Sequence, residues 1–178
     1  MKTLALLLLL PAVVTPALAE DEILKKFLPA TDGVRACWSS DFPHKPAGQK
    51  VTGLQLNMQV EDDREENDRF LWNFELVATQ TDAPKASGIG NCLENEDGTI
   101  YCGIECEGGG VDVTLLENGN VNVSLEDSGY IRLLTCGYSG ERVDLRAGPY
   151  DKNYELVAVP VEQCPEVINL GDDLPWID

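Results

Sequence analysis

The segment that contains Cys92 and Cys102 constrains the fold of this chain more than any other. Midway between the two cysteines, Glu96-Asp97-Gly98 is a turn signal, and Gly98 suits the left-handed position of a G1 bulge. A three-residue loop there places Cys92 opposite Cys102 on two antiparallel strands, at a position where Cα atoms lie about 4.5 Å apart. Because that separation allows a disulfide, the sequence predicts a Cys92–Cys102 bridge within a β-hairpin.

A second hairpin follows, and its loop Glu117-Asn118-Gly119 has the same length and the same terminal glycine. This loop keeps the apolar residues of both strands on one face, whereas a two-residue Asn-Gly loop would mix the faces. The predicted pairs are Leu115–Val121, Val113–Val123 and Val111–Leu125. The intervening Gly108-Gly109-Gly110 precedes a strand and has no lysine beside it, so it indicates a turning connection and not a phosphate-binding loop.

Apolar and polar residues alternate in two earlier segments, which is typical of half-buried strands. They flank an acidic loop, and joining them as a hairpin gives the predicted pairs Val60–Phe70, Met58–Trp72, Leu56–Phe74 and Leu54–Leu76. Further strands are predicted at 130–136, 143–146 and 154–161, and one short helix at 20–30. The sequence therefore predicts an all-β fold of eight or nine antiparallel strands in an up-and-down meander, closed as a barrel or packed as a two-sheet sandwich.

The N-terminus has the three parts of a secretory signal, namely the basic Lys2, an apolar stretch at 4–14 and the cleavage site Ala17-Leu18-Ala19. The apolar stretch is too short for a membrane-spanning helix. We therefore expect cleavage after Ala19 and a periplasmic or secreted protein. The predicted organisation is a signal peptide at 1–19, an N-terminal segment at 20–33, one β domain at 34–165 and an acidic tail at 166–178.

An exported chain with six cysteines is expected to form three disulfides. Once Cys92 and Cys102 are joined, the other four cysteines allow three pairings, of which we favour Cys106–Cys136 and Cys37–Cys164. Zinc is the alternative, because Cys102 and Cys106 have a spacing found in zinc knuckles. No second close cysteine pair accompanies them, so disulfides are favoured.

The chain has 31 acidic and 13 basic residues, which gives a net charge of −18. Such a charge disfavours binding to nucleic acid or to anionic membranes. It serves solubility, and it also suits a partner that is a basic envelope or secreted protein.

Nothing in the sequence predicts an enzyme or a cofactor. The single histidine, His44, lies in a proline-rich loop, so every Ser-His-Asp or Cys-His scheme depends on a residue in an unfavourable context. Acidic residues in the loop at 61–69 form a weak calcium candidate, although an EF-hand's glycine and spacing are missing. The candidate ligands are Glu61, Asp62, Asp63, Glu65, Glu66 and Asp68, and the candidate contact residues elsewhere are Glu105, Glu107 and Trp176.

Several motifs together resemble a family of small exported bacterial proteins of unassigned function. They are Pro43-His44-Lys45-Pro46 followed by Gln49, Val51 and Thr52, then Tyr101-Cys102-Gly103 followed by Glu105-Cys106-Glu107-Gly108-Gly109-Gly110, and a late Asp151-Lys152 segment that ends in Cys164. The resemblance covers most of 37–164 and implies export and a disulfide-linked β domain, but no activity. In the family pattern the histidine precedes the proline, whereas here Pro43 precedes His44.

The sequence therefore favours a non-catalytic binding or interaction module of the cell envelope. One alternative is an inhibitor of a basic hydrolase of the lysozyme type. The other is a lipocalin-like barrel that carries a small apolar ligand.

Overall fold

The alternating segments form ten β-strands in a computed structural model that describes residues 22–43, 46–81, 83–95, 97–104, 108–135 and 142–164. In chain order the elements are α1 (Leu24–Phe27), β1 (Arg35–Asp41), β2 (Val51–Asp62), α2 (Arg64–Asn67), β3 (Phe70–Gln80), β4 (Ala83–Glu94), β5 (Ile100–Gly103), β6 (Gly110–Leu115), β7 (Val121–Ser124), β8 (Tyr130–Thr135), β9 (Arg142–Arg146), β10 (Asn153–Val159) and a 3₁₀ turn (Val161–Gln163).

Eight of these strands close into an antiparallel barrel in the order β3-β2-β1-β10-β7-β6-β5-β4, and β4 pairs back onto β3. The all-β prediction and its barrel alternative are confirmed, whereas the predicted number of eight or nine strands is too low, because the described residues form ten. The meander has one interruption, because the hairpin of β8 and β9 lies between β7 and β10 in the chain. It stands outside the ring, where β8 pairs with Ala86 and Ser87 of β4 beyond the end of β5.

Two hairpin predictions agree with the structure. Cys92 pairs with Cys102 in the β4–β5 ladder, and Gly98 has a φ of +90°. In the β6–β7 ladder, Leu115 pairs with Val121 and Val113 with Val123, and the Leu116 N–H donates to the Asn120 carbonyl across a three-residue loop. In both places a glycine at positive φ sets the loop length, and loop length sets the register.

The predicted β2–β3 register is wrong by two residues. Val60 pairs with Trp72, Met58 with Phe74, Leu56 with Leu76, Leu54 with Ala78, and Asp62 with Phe70. The loop is shorter than expected because β2 continues through Asp62 and the one-turn helix α2 follows directly. A slip of two residues keeps every side chain on the same face, so alternation alone does not distinguish the two registers.

Side chains from all eight ring strands point inward and are packed against one another. Phe74, Leu56, Met58 and Leu76 are each 0% exposed. Gly90 also faces this interior, and a Cβ there would lie 2.1 Å from the Gly103 carbonyl oxygen. The barrel wall therefore depends on glycine where β4 crosses the end of β5.

The two ends of the barrel are closed by different elements. We call one the acidic end, formed by α1 with residues 28–34 and by the β2–β3, β4–β5 and β6–β7 loops. Here α1 buries Leu24, Phe27 and Leu28 in the core, and Trp72 donates its indole N–H to the Leu28 carbonyl at 3.2 Å. The predicted helix at 20–30 buries the expected face but has only one turn, and Pro29 follows it closely.

We call the opposite end the hairpin end, formed by the β1–β2, β3–β4, β5–β6, β7–β8 and β9–β10 connections together with β8 and β9. Ile131, Leu133 and Leu145 of this hairpin are buried against the barrel. Phe42 packs on Tyr154 with ring centroids 5.5 Å apart.

Two predicted disulfides are present, on opposite faces of the wall. Cys92–Cys102, with Cα atoms 4.0 Å apart, lies inside the barrel, and Cys37–Cys164, at 6.0 Å, lies outside and attaches the 3₁₀ turn to β1. Both fit an oxidising compartment. The third predicted pair, Cys106–Cys136, lies outside the described residues. Among the described residues, no helix is long and apolar enough to cross a membrane.

Candidate functional site

The acidic end takes its charge from loops that turn between strands. Its exposed or half-exposed acids are Glu22, Asp32, Asp62, Asp63, Glu65, Asp68, Asp97 and Glu117, and its bases are Lys25, Lys26, Arg64 and Arg69. These positions must be polar because each is exposed or half-exposed to solvent in a loop, at a strand end or on a one-turn helix, but their bias toward acid is not needed for turning the chain.

Nearby basic and amide side chains bind only some of these carboxylates. The Arg64 guanidinium donates to Asp62 at 2.8 Å and lowers the pKa of that carboxyl to about 2. Asp63 accepts from the Asn67 amide and lies 3.9 Å from Arg69. Within the described chain, Glu65, Asp68 and Glu117 form no salt bridge. The acidic end therefore has a net negative surface that a cationic partner would neutralise.

The hairpin end is nearly balanced in charge among its described residues. Its bases are Lys50, Lys85, Arg132, Arg142, Arg146 and Lys152, and its acids are Asp41, Glu126, Asp127, Asp144 and Asp151. Arg132 and Arg146 both contact Asp144, at 2.9 and 2.6 Å, and both guanidinium groups lie near the Tyr130 ring. The Arg132 hydrogen bond is the main cause of a lowered Asp144 pKa. Arg142 adds another exposed base at the start of β9. Negative charge is therefore concentrated at the acidic end of the barrel.

A third surface is the outer side of β1 to β4, which we call the amide face. Cross-strand pairing aligns its side chains in rows, one of which is Arg35, Gln59, Asn73 and Asn91. Asn91 donates to the Asn73 side-chain oxygen at 2.7 Å, and Asn73 donates to Glu61 at 2.8 Å. The other members of the face are Cys37, Ser39, Asp41, Gly53, Gln55, Asn57, Glu75, Val77, Thr79, Lys85, Ser87 and Ile89.

Part of the amide face is buried, although it points away from the barrel interior. Asn57 is 1% exposed, and Asn73 and Val77 are each 7% exposed. Burial raises the pKa of Glu75, and the hydrogen bond with Ser87 offsets this only in part. A half-buried carboxyl is costly on a barrel exterior, so this face is not an ordinary solvated surface.

A shallow cleft of about 120 Å³ opens on the amide face near the hairpin end. Asp41, Gln55, Thr79 and Lys85 are among its lining residues. Pockets for small molecules usually enclose about 300–1,000 Å³. The cleft therefore has room for one side chain of a partner and not for a metabolite of ordinary size.

The predicted calcium loop is divided between a strand end and α2. Its acids have other partners: Asp62 binds Arg64, Asp63 binds Asn67, and Glu61 accepts from Asn73. The side chain of Glu66 lies outside the described part. Among the described residues, no three Asp, Glu, His or Cys side chains gather as a group that could hold a metal ion.

The predicted contact residues Glu105, Glu107 and Trp176 lie outside the described residues, as does His44. The described flanks of Glu105 and Glu107 are Ile104, which follows β5, and Gly108, whose carbonyl accepts from the Arg132 N–H at 2.7 Å.

The amide face was missed by sequence reasoning, although its signal is visible. Gln55, Asn57 and Gln59 alternate with apolar residues in β2, and Asn73 and Glu75 do so in β3. An unusual run of amides in place of Lys, Glu or Thr on a supposedly solvated side could have indicated a covered surface.

Comparisons with models of known protein families, with curated proteins and with solved structures find no match to this chain.

Proposed function

We propose that the protein is an exported, non-catalytic binding module whose acidic end binds a basic protein of the cell envelope or a secreted basic hydrolase. The observation that supports this most is the concentration of negative charge at one end of the barrel. A general need for solubility would be met by acids spread over the whole surface, whereas here the described acids outnumber the bases at the acidic end and nearly match them at the hairpin end.

The geometry of the acidic end suits association with a protein. Its loops project from one rim of a closed barrel, so their carboxylates share one approach direction. Glu65 and Glu117 are exposed on different loops of this rim. Complementary charge of this kind speeds diffusional encounter and favours one orientation of the partner.

The lipocalin-like alternative has less support. Large side chains such as Phe74 and Met58 are fully buried within the ring, and α1 is inserted into one end with Leu24 and Phe27. A ligand of lipocalin type would have to displace these residues. The cleft on the amide face holds at most a side chain.

Charge reversal at matched positions tests the proposal. The test variant is Glu65→Lys with Glu117→Lys at the acidic end, and the control is Asp41→Lys with Asp127→Lys near the hairpin end. The two variants change net charge equally, and all four residues are exposed. The probes are lysozyme, as a basic hydrolase, and lysozyme with acetylated lysines, in binding assays at low and high salt.

We expect the acidic-end variant to bind lysozyme at least about tenfold more weakly, and the control to lose about threefold or less, since each tenfold loss corresponds to about 1.4 kcal/mol. Binding should fall with salt and with acetylation. Equal losses in the two variants would show non-specific attraction, and no binding of lysozyme by the unmodified protein would remove the basic-hydrolase form of the proposal.

A further inference from the structure

The outer edge of β9 carries an inference that is separate from the acidic end. β9 is the last strand in the sheet order, and among the described strands it pairs with β8 alone. The Ala147 N–H, just after β9, donates to the Gly129 carbonyl at the start of β8. Because backbone groups point to alternate sides along a strand, the N–H and C=O groups of Arg142, Asp144 and Arg146 point away from β8. This edge can therefore still accept a strand.

The side chains along this edge carry both signs of charge. Asp144 lies between Arg142 and Arg146 on one face of β9, and Val143 and Leu145 lie on the other. Sheet edges are often protected from pairing by lysines, prolines or a bulge. β9 contains no lysine or proline and pairs with β8 in continuous register. Since its charges alternate, the edge can be its own complement.

We propose that two copies of the chain pair β9 with β9 in antiparallel fashion across a two-fold axis, so that Asp144 of each copy lies opposite Arg146 of the other. The backbone groups of both residues point outward, so each of these pairs exchanges both of its hydrogen bonds. The axis passes between the two copies of Leu145. Such a pairing is closed, because it uses the edge of both copies and leaves none for a third.

The side chains on both faces of β9 suit this pairing. On the outer face, Asp144 already contacts Arg146 of its own chain at 2.6 Å. Pairing places the partner's Arg146 directly across from Asp144, so the four charged groups form a ring that alternates in sign. On the other face, the half-exposed Val143 meets the exposed Ala147 of the other copy. Charged residues thus face opposite charges, and apolar residues face apolar ones.

Other symmetric registers fit less well. Centring the pair on Asp144 would place the two aspartates opposite each other and Arg142 opposite Arg146, and like charges directly opposite destabilise a sheet. Placing Asp144 opposite Arg142 would extend Leu145 and Arg146 beyond the start of the partner's β9. The register with Asp144 opposite Arg146 avoids both faults.

The test measures self-association of the full mature chain, residues 20–178, by sedimentation velocity. We expect a weak dimer with a dissociation constant of about 10–100 μM, because the paired edge is short. Arg146→Asp and Asp144→Arg should each weaken it at least about tenfold, since each sets like charges opposite one another at both pairs. The control is Arg142→Asp, which changes charge equally with Arg146→Asp at an exposed residue of the same strand. It should change affinity by about threefold or less.

Mixing variants separates loss of pairing from loss of folding. In an equimolar mixture of the Arg146→Asp and Asp144→Arg chains, opposite charges meet again at both pairs. A mixed dimer should therefore form within about threefold of the original affinity. A mixture of the Arg142→Asp and Asp144→Arg chains has the same net charges but keeps one like-charged pair, so its mixed dimer should be weaker than that of the first mixture.

Three results would overturn the proposal. One is an unmodified chain that stays monomeric at about 1 mM, which would leave the edge to a strand of another protein. Another is an equal loss of affinity in Arg142→Asp and Arg146→Asp, which would show that the charges act without the proposed register. The last is a mixture of the Arg146→Asp and Asp144→Arg chains that does not restore the dimer.

Discussion

At the acidic end of the barrel, Glu94 accepts hydrogen bonds from two consecutive backbone N–H groups, those of Ile23 and Leu24. At the hairpin end, Asp151 accepts from the consecutive N–H groups of Lys50 and Val51. Each carboxylate thus binds the backbone of another segment, α1 in the first case and the start of β2 in the second. The two ends share this backbone contact but differ in surface charge. Closing the barrel therefore does not require a difference in charge between them. That difference is therefore available for recognition.

Removing one buried leucine at each end should have the largest effect. Leu24→Ala at the acidic end and Leu133→Ala at the hairpin end should each lower the free energy of unfolding by about 3 kcal/mol, because each leaves a cavity in a shared core. Denaturant unfolding measures this. The matched control is Leu93→Ala, since Leu93 is 62% exposed on β4. A loss below about 1 kcal/mol for Leu24→Ala alone would mean that α1 is not part of that core.

The second-largest effect on stability is expected from removing the carboxylates of Glu94 and Asp151. Glu94→Ala and Asp151→Ala should each cost about 2 kcal/mol, because each leaves backbone N–H groups without their acceptor, and those of Ile23, Leu24 and Val51 are partly buried. Glu94→Gln and Asp151→Asn keep an oxygen acceptor and should cost less. If only the Asp151 variants lose stability, the parallel between the two ends is wrong.

The hairpin end has one more polar contact that can be removed cleanly. Tyr154 is buried, and its hydroxyl donates to Asp151 at 2.9 Å. Burial, together with this bond to a carboxylate, raises the pKa of Tyr154. Tyr154→Phe should cost about 1 kcal/mol, which is typical of one hydrogen bond. Tyr150→Phe, at a residue that is 53% exposed, should leave stability unchanged.

The smallest effects should appear in the titration of the surface ion pairs. Arg64→Gln should return the pKa of Asp62 from about 2 toward its ordinary 3.8, and Arg132→Gln should likewise raise that of Asp144. Carboxyl-carbon NMR titration measures both. Because the folded pKa of Asp62 is lowered, this pair stabilises the fold above about pH 4 and stops doing so as the pH falls toward 2. An unchanged Asp62 pKa in the variant would contradict the assigned cause.

Prediction from the sequence succeeded where a residue pattern is compatible with only one arrangement of the backbone. Gly98 and Gly119 set loop lengths, and loop lengths set the registers around Cys92 and Val121. It failed where two arrangements satisfy the same pattern, as in the β2–β3 ladder. A shift of two residues there exchanges Phe70 for Trp72 opposite Val60 and leaves the buried face unchanged.

Long-range arrangement was predicted least well. No local sequence pattern predicts that β8 and β9 lie outside the ring, because the β8–β9 ladder could equally have formed within a simple meander. The glycines of β4 make that placement possible: a Cβ on Gly88 would lie 2.8 Å from Leu133 of β8. The concentration of acids at one end also depends on which loops share that end of the barrel, and this emerges only after the strand order is known.

The inward-facing Cys92–Cys102 bond has a consequence for the order of assembly. Its sulfur atoms are enclosed by the wall, because both cysteines are 2% exposed or less. An oxidant or a disulfide exchange enzyme can reach them only while the wall is open, so this bond must form before the ring closes. The two residues are ten apart in the chain, whereas Cys37 and Cys164, which are also buried but lie outside the ring, are 127 apart. Oxidative refolding should therefore yield the Cys92–Cys102 species first, and a protein that folds while reduced should be unable to acquire this bond without unfolding again.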